Sequence, residues 1–264
     1  MTAVTAAAPA KIGFGRVIQG VFGVLARNFV TFLILTVVLL GVPAVIVGLG
    51  FAQMIGGGVA AGGALIGVGY LVMMLTLSIL QAALIHTTVA DLNGRRATVA
   101  EGLSTGLRHA LPILGVMILF GLGVAFGAVL LIVPGIMLAV AWFVAIPSQV
   151  VERTGVFGAF SRSGRLTKDN RWRIFGLLVL WWIAYTVIQT TLLNIVGAGA
   201  PGAGAVGAAS GAVLAAIPPA YWVVLLLLTV ANTMISGAGV AVIYYELRRV
   251  KEGVGPEALA AVFD

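Results

Sequence analysis

Three long stretches of this chain, residues 28–90, 109–151 and 174–245, contain no Lys, Arg, Asp or Glu. They are 63, 43 and 72 residues long and predominantly apolar. A membrane-crossing helix takes about 20 apolar residues, so each stretch is too long for one crossing and suits two. The pattern predicts an all-α membrane protein with six transmembrane helices in three hairpins, at about 28–50, 64–90, 110–132, 136–151, 171–196 and 220–245. Pro43 is the expected kink of the first span. The outward turns fall on the glycines at 56–63, on Pro134-Gly135, and on the Gly/Ala tract before Pro218-Pro219.

The segments ahead of each hairpin mix apolar and basic residues. Residues 12–27 set Phe14, Val17, Ile18, Val21 and Phe22 against Lys11, Arg16 and Arg27, the pattern of a helix lying in the membrane interface. Thr98-Val99-Ala100-Glu101 is a capping box, with a hydroxyl at the N-cap and a carboxylate three residues on, and it opens a short helix to His109. In 152–170, Phe157, Phe160 and Leu166 stand against Arg162, Arg165 and Lys168. Aligned in register, the three segments superpose Asn28, His109 and Asn170, then Ile113 with Ile174 and Gly115 with Gly176, which suggests a threefold internal repeat. Residues 1–253 therefore read as one polytopic domain and 254–264 as a short tail. Residues 1–10 carry no basic residue and the apolar run that follows begins late, so the first span is expected to stay as an anchor rather than be cleaved.

All 15 Lys and Arg lie in four short segments. With six spans those segments share one face, and retention of basic residues inside assigns that face and both termini to the cytoplasm. The chain is 61% hydrophobic and 9% charged, against about 25% charged in soluble domains, so a soluble core is excluded. The net charge of +7 belongs to the inner surface. It implies attraction to anionic headgroups rather than to nucleic acid, for which no binding module is present. The absence of cysteine removes disulfides and thiolate metal sites.

Apart from Arg171 and Arg173 at the inner start of the fifth span, no Lys, Arg, Asp or Glu falls within a span, which argues against proton pumps, carboxylate-ring channels and voltage sensors. His86 and His109 have no carboxylate or second histidine at helical spacing and read as interfacial hydrogen-bonding residues, not metal ligands. Gln189 and Asn194, facing Asn232 of the last span, either line a polar path or hydrogen-bond between helices, and the second reading is preferred. Gly58–Gly62, Gly63–Gly67, Gly123–Gly127 and Gly207–Gly211 read as close-packing pairs, with Gly123–Gly127 a candidate homodimer contact. Trp142, Trp172, Trp181, Trp182 and Trp222 read as interface or packing aromatics. The serines lack any base beside them. Arg162, Arg165, Lys168, Arg171, Trp172 and Arg173 form the densest basic run and are the candidate anionic-lipid contact. No catalytic residue, cofactor site or metal site is expected.

Ile132-Val133-Pro134-Gly135-Ile136, Pro147, Glu152, the run Ala159-Phe160-Ser161-Arg162-Ser163-Gly164-Arg165-Leu166-Thr167-Lys168-Asp169-Asn170-Arg171-Trp172-Arg173, and the closing Tyr244-Tyr245-Glu246-Leu247-Arg248-Arg249 with Lys251-Glu252-Gly253 resemble a six-span family. That family is named for the membrane domain of certain glycerophosphoryl diester phosphodiesterases and is akin to YciC-like inner-membrane proteins. The resemblance covers roughly 132–253. It implies a multi-pass protein of a bacterial inner membrane, and no phosphodiesterase activity, because the soluble catalytic barrel of some members has no counterpart here. The expected role is a membrane scaffold or lipid-contacting accessory protein in envelope homeostasis. The alternative is a transporter of a lipid or small neutral solute between spans five and six. Membrane lipids are the expected partners.

Overall fold

The structure is a computed structural model that describes residues 11–197 and 218–253. Every described element is a helix: α1 (Phe14–Ile55), α2 (Val59–Leu92), α3 (Val99–Leu130), α4 (Ile132–Ala141), α5 (Ala145–Glu152), α6 (Val156–Thr167), α7 (Arg171–Val196) and α8 (Pro219–Glu252). Six stretches are long and apolar enough to cross a membrane: α1, α2, α3, α4 with α5, α7 and α8. Their outer faces are not those of a soluble protein. Val129 is 84% exposed and Ile132 72%, and apolar surface on this scale marks a face turned to lipid or a partner.

The core lies where α1, α2 and α8 meet, around Phe32, Leu80, Leu84, Ala238, Tyr244 and Leu247. Close approach there depends on missing side chains. A Cβ on Gly237 would lie 2.6 Å from Leu84 Cδ1, and one on Gly62 would lie 2.6 Å from the Gly50 carbonyl oxygen. Gly62 faces Gly50, and Gly69 faces Val47, so α1 and α2 run antiparallel, joined by Gly56–Gly58. Gly63 and Gly67, by contrast, face open space. Gly123 packs on the Trp142 ring and Gly127 on the Gly135 backbone within this one chain.

Several boundaries differ from the sequence reading. Residues 12–27 and the first span form one helix, α1, whose dihedrals break at Asn28 (φ −120°, ψ 21°) and not at Pro43. Asn28 is buried, and its Nδ2 donates to the Val24 carbonyl at 3.0 Å and to Asp91 at 2.8 Å. A side chain that bonds its own preceding turn competes with the helix ladder. The short helix from the capping box likewise runs on without a break into α3. Both bonds of that box form, Glu101 N–H to Thr98 Oγ1 at 3.2 Å and Thr98 N–H to Glu101 at 3.1 Å.

The α3–α4 turn is the extended Leu131 (φ −162°, ψ 142°) alone, and Pro134-Gly135 sits inside the first turn of α4. Proline is tolerated there because a first-turn N–H has no helical partner anyway. Gly135 instead lets α4 close on α3, since a Cβ would lie 2.8 Å from the Ala128 nitrogen.

The fourth span is broken. α4 ends at Ala141 and α5 resumes at Ala145, and α6 satisfies the backbone groups this frees. Ser163 Oγ donates to the Ala141 carbonyl at 2.8 Å and accepts from Val144 N–H at 3.2 Å. Thr167 Oγ1 donates to the same carbonyl at 3.1 Å. Both side chains are fully buried. The outward Gly/Ala tract from 198 on, including Gly207–Gly211, and the 254–264 tail lie outside the described residues.

The register proposed for the repeat carries a common burial pattern. Counting from Asn28, His109 and Asn170, positions −7, −3, 0, +4 and +7 are buried in all three segments: Val21, Leu25, Phe32 and Leu35 in the first, Gly102, Gly106, Ile113 and Val116 in the second, Ser163, Thr167, Ile174 and Leu177 in the third. Asn28 (φ −120°, ψ 21°) and Asn170 (φ −118°, ψ 5°) also share a backbone conformation.

Candidate functional site

The four charged segments, far apart in sequence, are tied together at one end of the bundle. Arg16 of α1 pairs with Glu246 of α8 at 3.2 Å. Arg27 reaches Asp91 at the end of α2, Nε to Oδ2 3.1 Å. Ile12 N–H donates to Asn170 Oδ1 at 3.3 Å, and Arg173 Nη1 donates back to the Ile12 carbonyl at 2.6 Å. Lys251 Nζ donates to the Arg165 carbonyl at 3.0 Å and lies 3.4 Å from Asp169.

Glu152, at the end of α5, is the hub of this end. It accepts from Arg162 Nε at 2.7 Å and from the Tyr244 hydroxyl at 2.6 Å. Arg162 also pairs with Glu252, which Arg248 Nε contacts at 2.9 Å. Burial of Arg162 favours loss of its proton, but Glu152 and Glu252 outweigh it and hold the group above its ordinary value. The alternation of two arginines and two glutamates closes α5, α6 and α8 into one unit.

That network changes what the basic run offers to a ligand. Arg162 is only 17% exposed and fully engaged, and Arg173 is held by the Ile12 carbonyl. Arg165, Lys168, Arg171 and Trp172 remain on the surface, Trp172 at 85% exposure. Arg165 Nη1 donates only to Ser161 Oγ, at 2.9 Å, among the described residues.

Asn194 is exposed, while Gln189 and Asn232 are half-buried. No hydrogen bond joins these three among the described residues, and the neighbouring hydroxyls of Thr190 and Thr233 bond carbonyls of their own helices. What lies between α7, α8 and the start of α1 is an apolar cleft of about 450 Å³, walled by Val21, Phe22, Leu178, Trp181, Ile188 and Ile243, with Ser236 at one side.

The two histidines, 23 residues apart in sequence, line one cavity at the charged end. His109 is buried, and its Nδ1 bonds the Thr105 carbonyl at 2.9 Å. A carbonyl only accepts, so that nitrogen carries the proton and Nε2 is the free ring nitrogen. Nothing local in the chain signals this meeting, because α2, α3 and α5 each supply part of the wall. No three His, Asp or Glu side chains stand close enough to hold a metal ion among the described residues.

Comparison with known proteins gives one informative likeness. Over 96 residues, 36% of this chain, it is 27% identical to a UPF0259 membrane protein of Pectobacterium carotovorum subsp. carotovorum (strain PC1). The matched stretch is 38% of that protein's length. No family model and no solved structure matches the chain. The relative's name identifies it as a membrane protein and mentions no phosphodiesterase. The likeness and the six apolar helices agree on a multi-pass membrane protein of uncharacterised kind.

Proposed function

We propose that this protein is a non-catalytic accessory protein of a bacterial inner membrane that holds its basic inner face against acidic phospholipid headgroups. In this reading the six helices form three hairpins with both termini cytoplasmic. The amphipathic segment 12–27, set off from the first span by the break at Asn28, and helix α6 lie along the inner interface, while 98–109 is the inner end of α3 itself. The observation that carries it is the convergence of every described charged segment on one end of the bundle, with Arg165, Lys168, Arg171 and Trp172 exposed there. Each exposed cation near an anionic surface contributes about 1 kcal/mol, so these three basic residues supply about 3 kcal/mol, and Trp172 suits the headgroup level.

The test is the lipid that co-purifies with the protein. The triple variant Arg165→Gln, Lys168→Gln, Arg171→Gln should lose the anionic enrichment found with the parent, most visibly at low salt. Equal enrichment in both proteins would end this reading. The apolar wall of the α7–α8 cleft favours, as a second reading, passage of an acyl chain over that of a polar solute. Reconstituted vesicles in which Ser236→Trp leaves lipid flux unchanged would remove it.

A further inference from the structure

We propose that the cavity between the end of α2, the turn that follows it, α3 and the end of α5 binds a phosphate monoester. Its volume is about 450 Å³, within the range of about 300–1,000 Å³ typical of small-molecule sites. Three guanidinium groups line it, from Arg95, Arg108 and Arg153, together with both histidines and Asn93. No carboxylate lines it, although Arg95 reaches out to Glu101 at 3.2 Å on the exposed side. Arg108 and Arg153 have no hydrogen-bond or ion-pair partner among the described residues. Arg162, Arg173, Arg248 and Lys251 at this end are each engaged by a carboxylate or a carbonyl, so unpaired arginines around a cavity stand apart from them.

The backbone adds an independent observation. Arg153, the residue that ends α5, is held at φ 52°, ψ 40°, in the left-handed region. Glycine is the usual residue there, because a Cβ is unfavourable in that conformation. An arginine thus stands on the cavity wall, without a side-chain partner among the described residues, in a conformation that glycine would take at lower cost.

The chemistry of the ligand follows from the wall. Guanidinium groups present paired N–H donors that match phosphate oxygens. With Arg95 shared with Glu101, the two unpaired charges of Arg108 and Arg153 match a dianion better than the single charge of a diester. The carbonyl ends of α2 and α5 oppose an anion, but such helix-end effects are small beside two full charges. Val89, Ala90, Val150 and Val151 form an apolar side that accepts the carbon part of the ester. The phosphate can come from a soluble ester or from a lipid of the phosphatidate type, since the cavity sits at the junction of charged turns and apolar helices.

The test uses the full chain in neutral detergent, titrated with inorganic phosphate, with sulfate as control. In parallel, nanodiscs of phosphatidylcholine are doped with phosphatidate or with phosphatidylglycerol. This does not rest on the lipid-contact reading, because the phosphate arm needs no bilayer. Saturable binding of phosphate that phosphatidate displaces supports a site open to lipid. Phosphate binding without phosphatidate binding supports a soluble ester, and the reverse supports the lipid alone. Arg108→Gln and Arg153→Gly should each weaken binding about tenfold, while Arg165→Gln with Lys168→Gln should leave it unchanged. Arg153→Gly should also melt no lower than the parent, which separates lost binding from lost folding. The proposal is overturned if neither probe binds saturably, or if sulfate and phosphatidylglycerol bind as well. It is also overturned if the cavity variants bind normally, or if Arg153→Gly mainly destabilises, which would make Arg153 a counter-charge for the end of α5.

Discussion

Replacing Gly62 by alanine adds one methyl group at the closest approach of α1 and α2. That Cβ would lie 2.6 Å from the Gly50 carbonyl oxygen and 2.8 Å from the Met54 nitrogen, where ordinary contact begins at 3.4 Å. The Met54 side chain is also in the way and can turn aside, but these two backbone atoms cannot, so the helices must separate by about 0.8 Å. Overpacking of this kind costs about 1–3 kcal/mol. It is partly offset by the helix preference of alanine over glycine, about 1 kcal/mol. Gly63→Ala provides the matched control: it has the same neighbours in sequence and the same gain in preference, with nothing within 4 Å of the added carbon. The difference between the two variants is therefore the clash alone. At about 2–4 °C per kcal/mol for a chain of this size, Gly62→Ala should melt about 2–12 °C below Gly63→Ala. The five tryptophans report unfolding in detergent by their own fluorescence. If Gly62→Ala melts at or above Gly63→Ala, the backbone contact between α1 and α2 is not as described.

Arg162→Leu leaves Glu152 and Glu252 with Arg248 as the one cation between them among the described residues and should cost about 2 kcal/mol. The loss should persist at high salt, because the pair is mostly shielded from solvent, and thermal unfolding in both salts measures it. Ser163→Ala strips the partner from the Val144 N–H and one of two donors from the Ala141 carbonyl, a loss of about 1–3 kcal/mol. Ser161→Ala, two residues away on an exposed face, should be neutral in the same melt.

How much of this was legible depends on the range of the interaction. The spans could be read because an apolar run of the required length and its charged ends are local facts, and 171–196 coincides with α7. The capping box could be read for the same reason, since its two partners lie three residues apart. The break at Trp142–Val144 could not, because its apolar residues look like any others and the groups that stabilise it, Ser163 and Thr167, come from α6. Pro43 points to a kink by its own chemistry, whereas the break falls at Asn28, whose amide bonds both the Val24 carbonyl and Asp91, 63 residues away. Arg162 and Arg173 looked like surface cations until Glu152, Glu252 and the Ile12 carbonyl were found beside them. The cavity of His86, His109 and Arg153 needs three helices in place before any of its parts is adjacent. The three aligned segments share few residues but the same inward positions, with the period expected of helices that each turn one face to a core.

The layout itself rests on all charged segments lying on one side of the bilayer. The chain has no cysteine, so a single introduced cysteine is its only thiol. Val59→Cys and Val133→Cys, in the first turns of α2 and α4 beside the uncharged links, should react with a membrane-impermeant maleimide in intact cells. Ser104→Cys and Ser161→Cys, on the charged end, should react only after the membrane is opened. Labelling of Ser104→Cys or Ser161→Cys in intact cells, with Val59→Cys and Val133→Cys protected, would contradict the account.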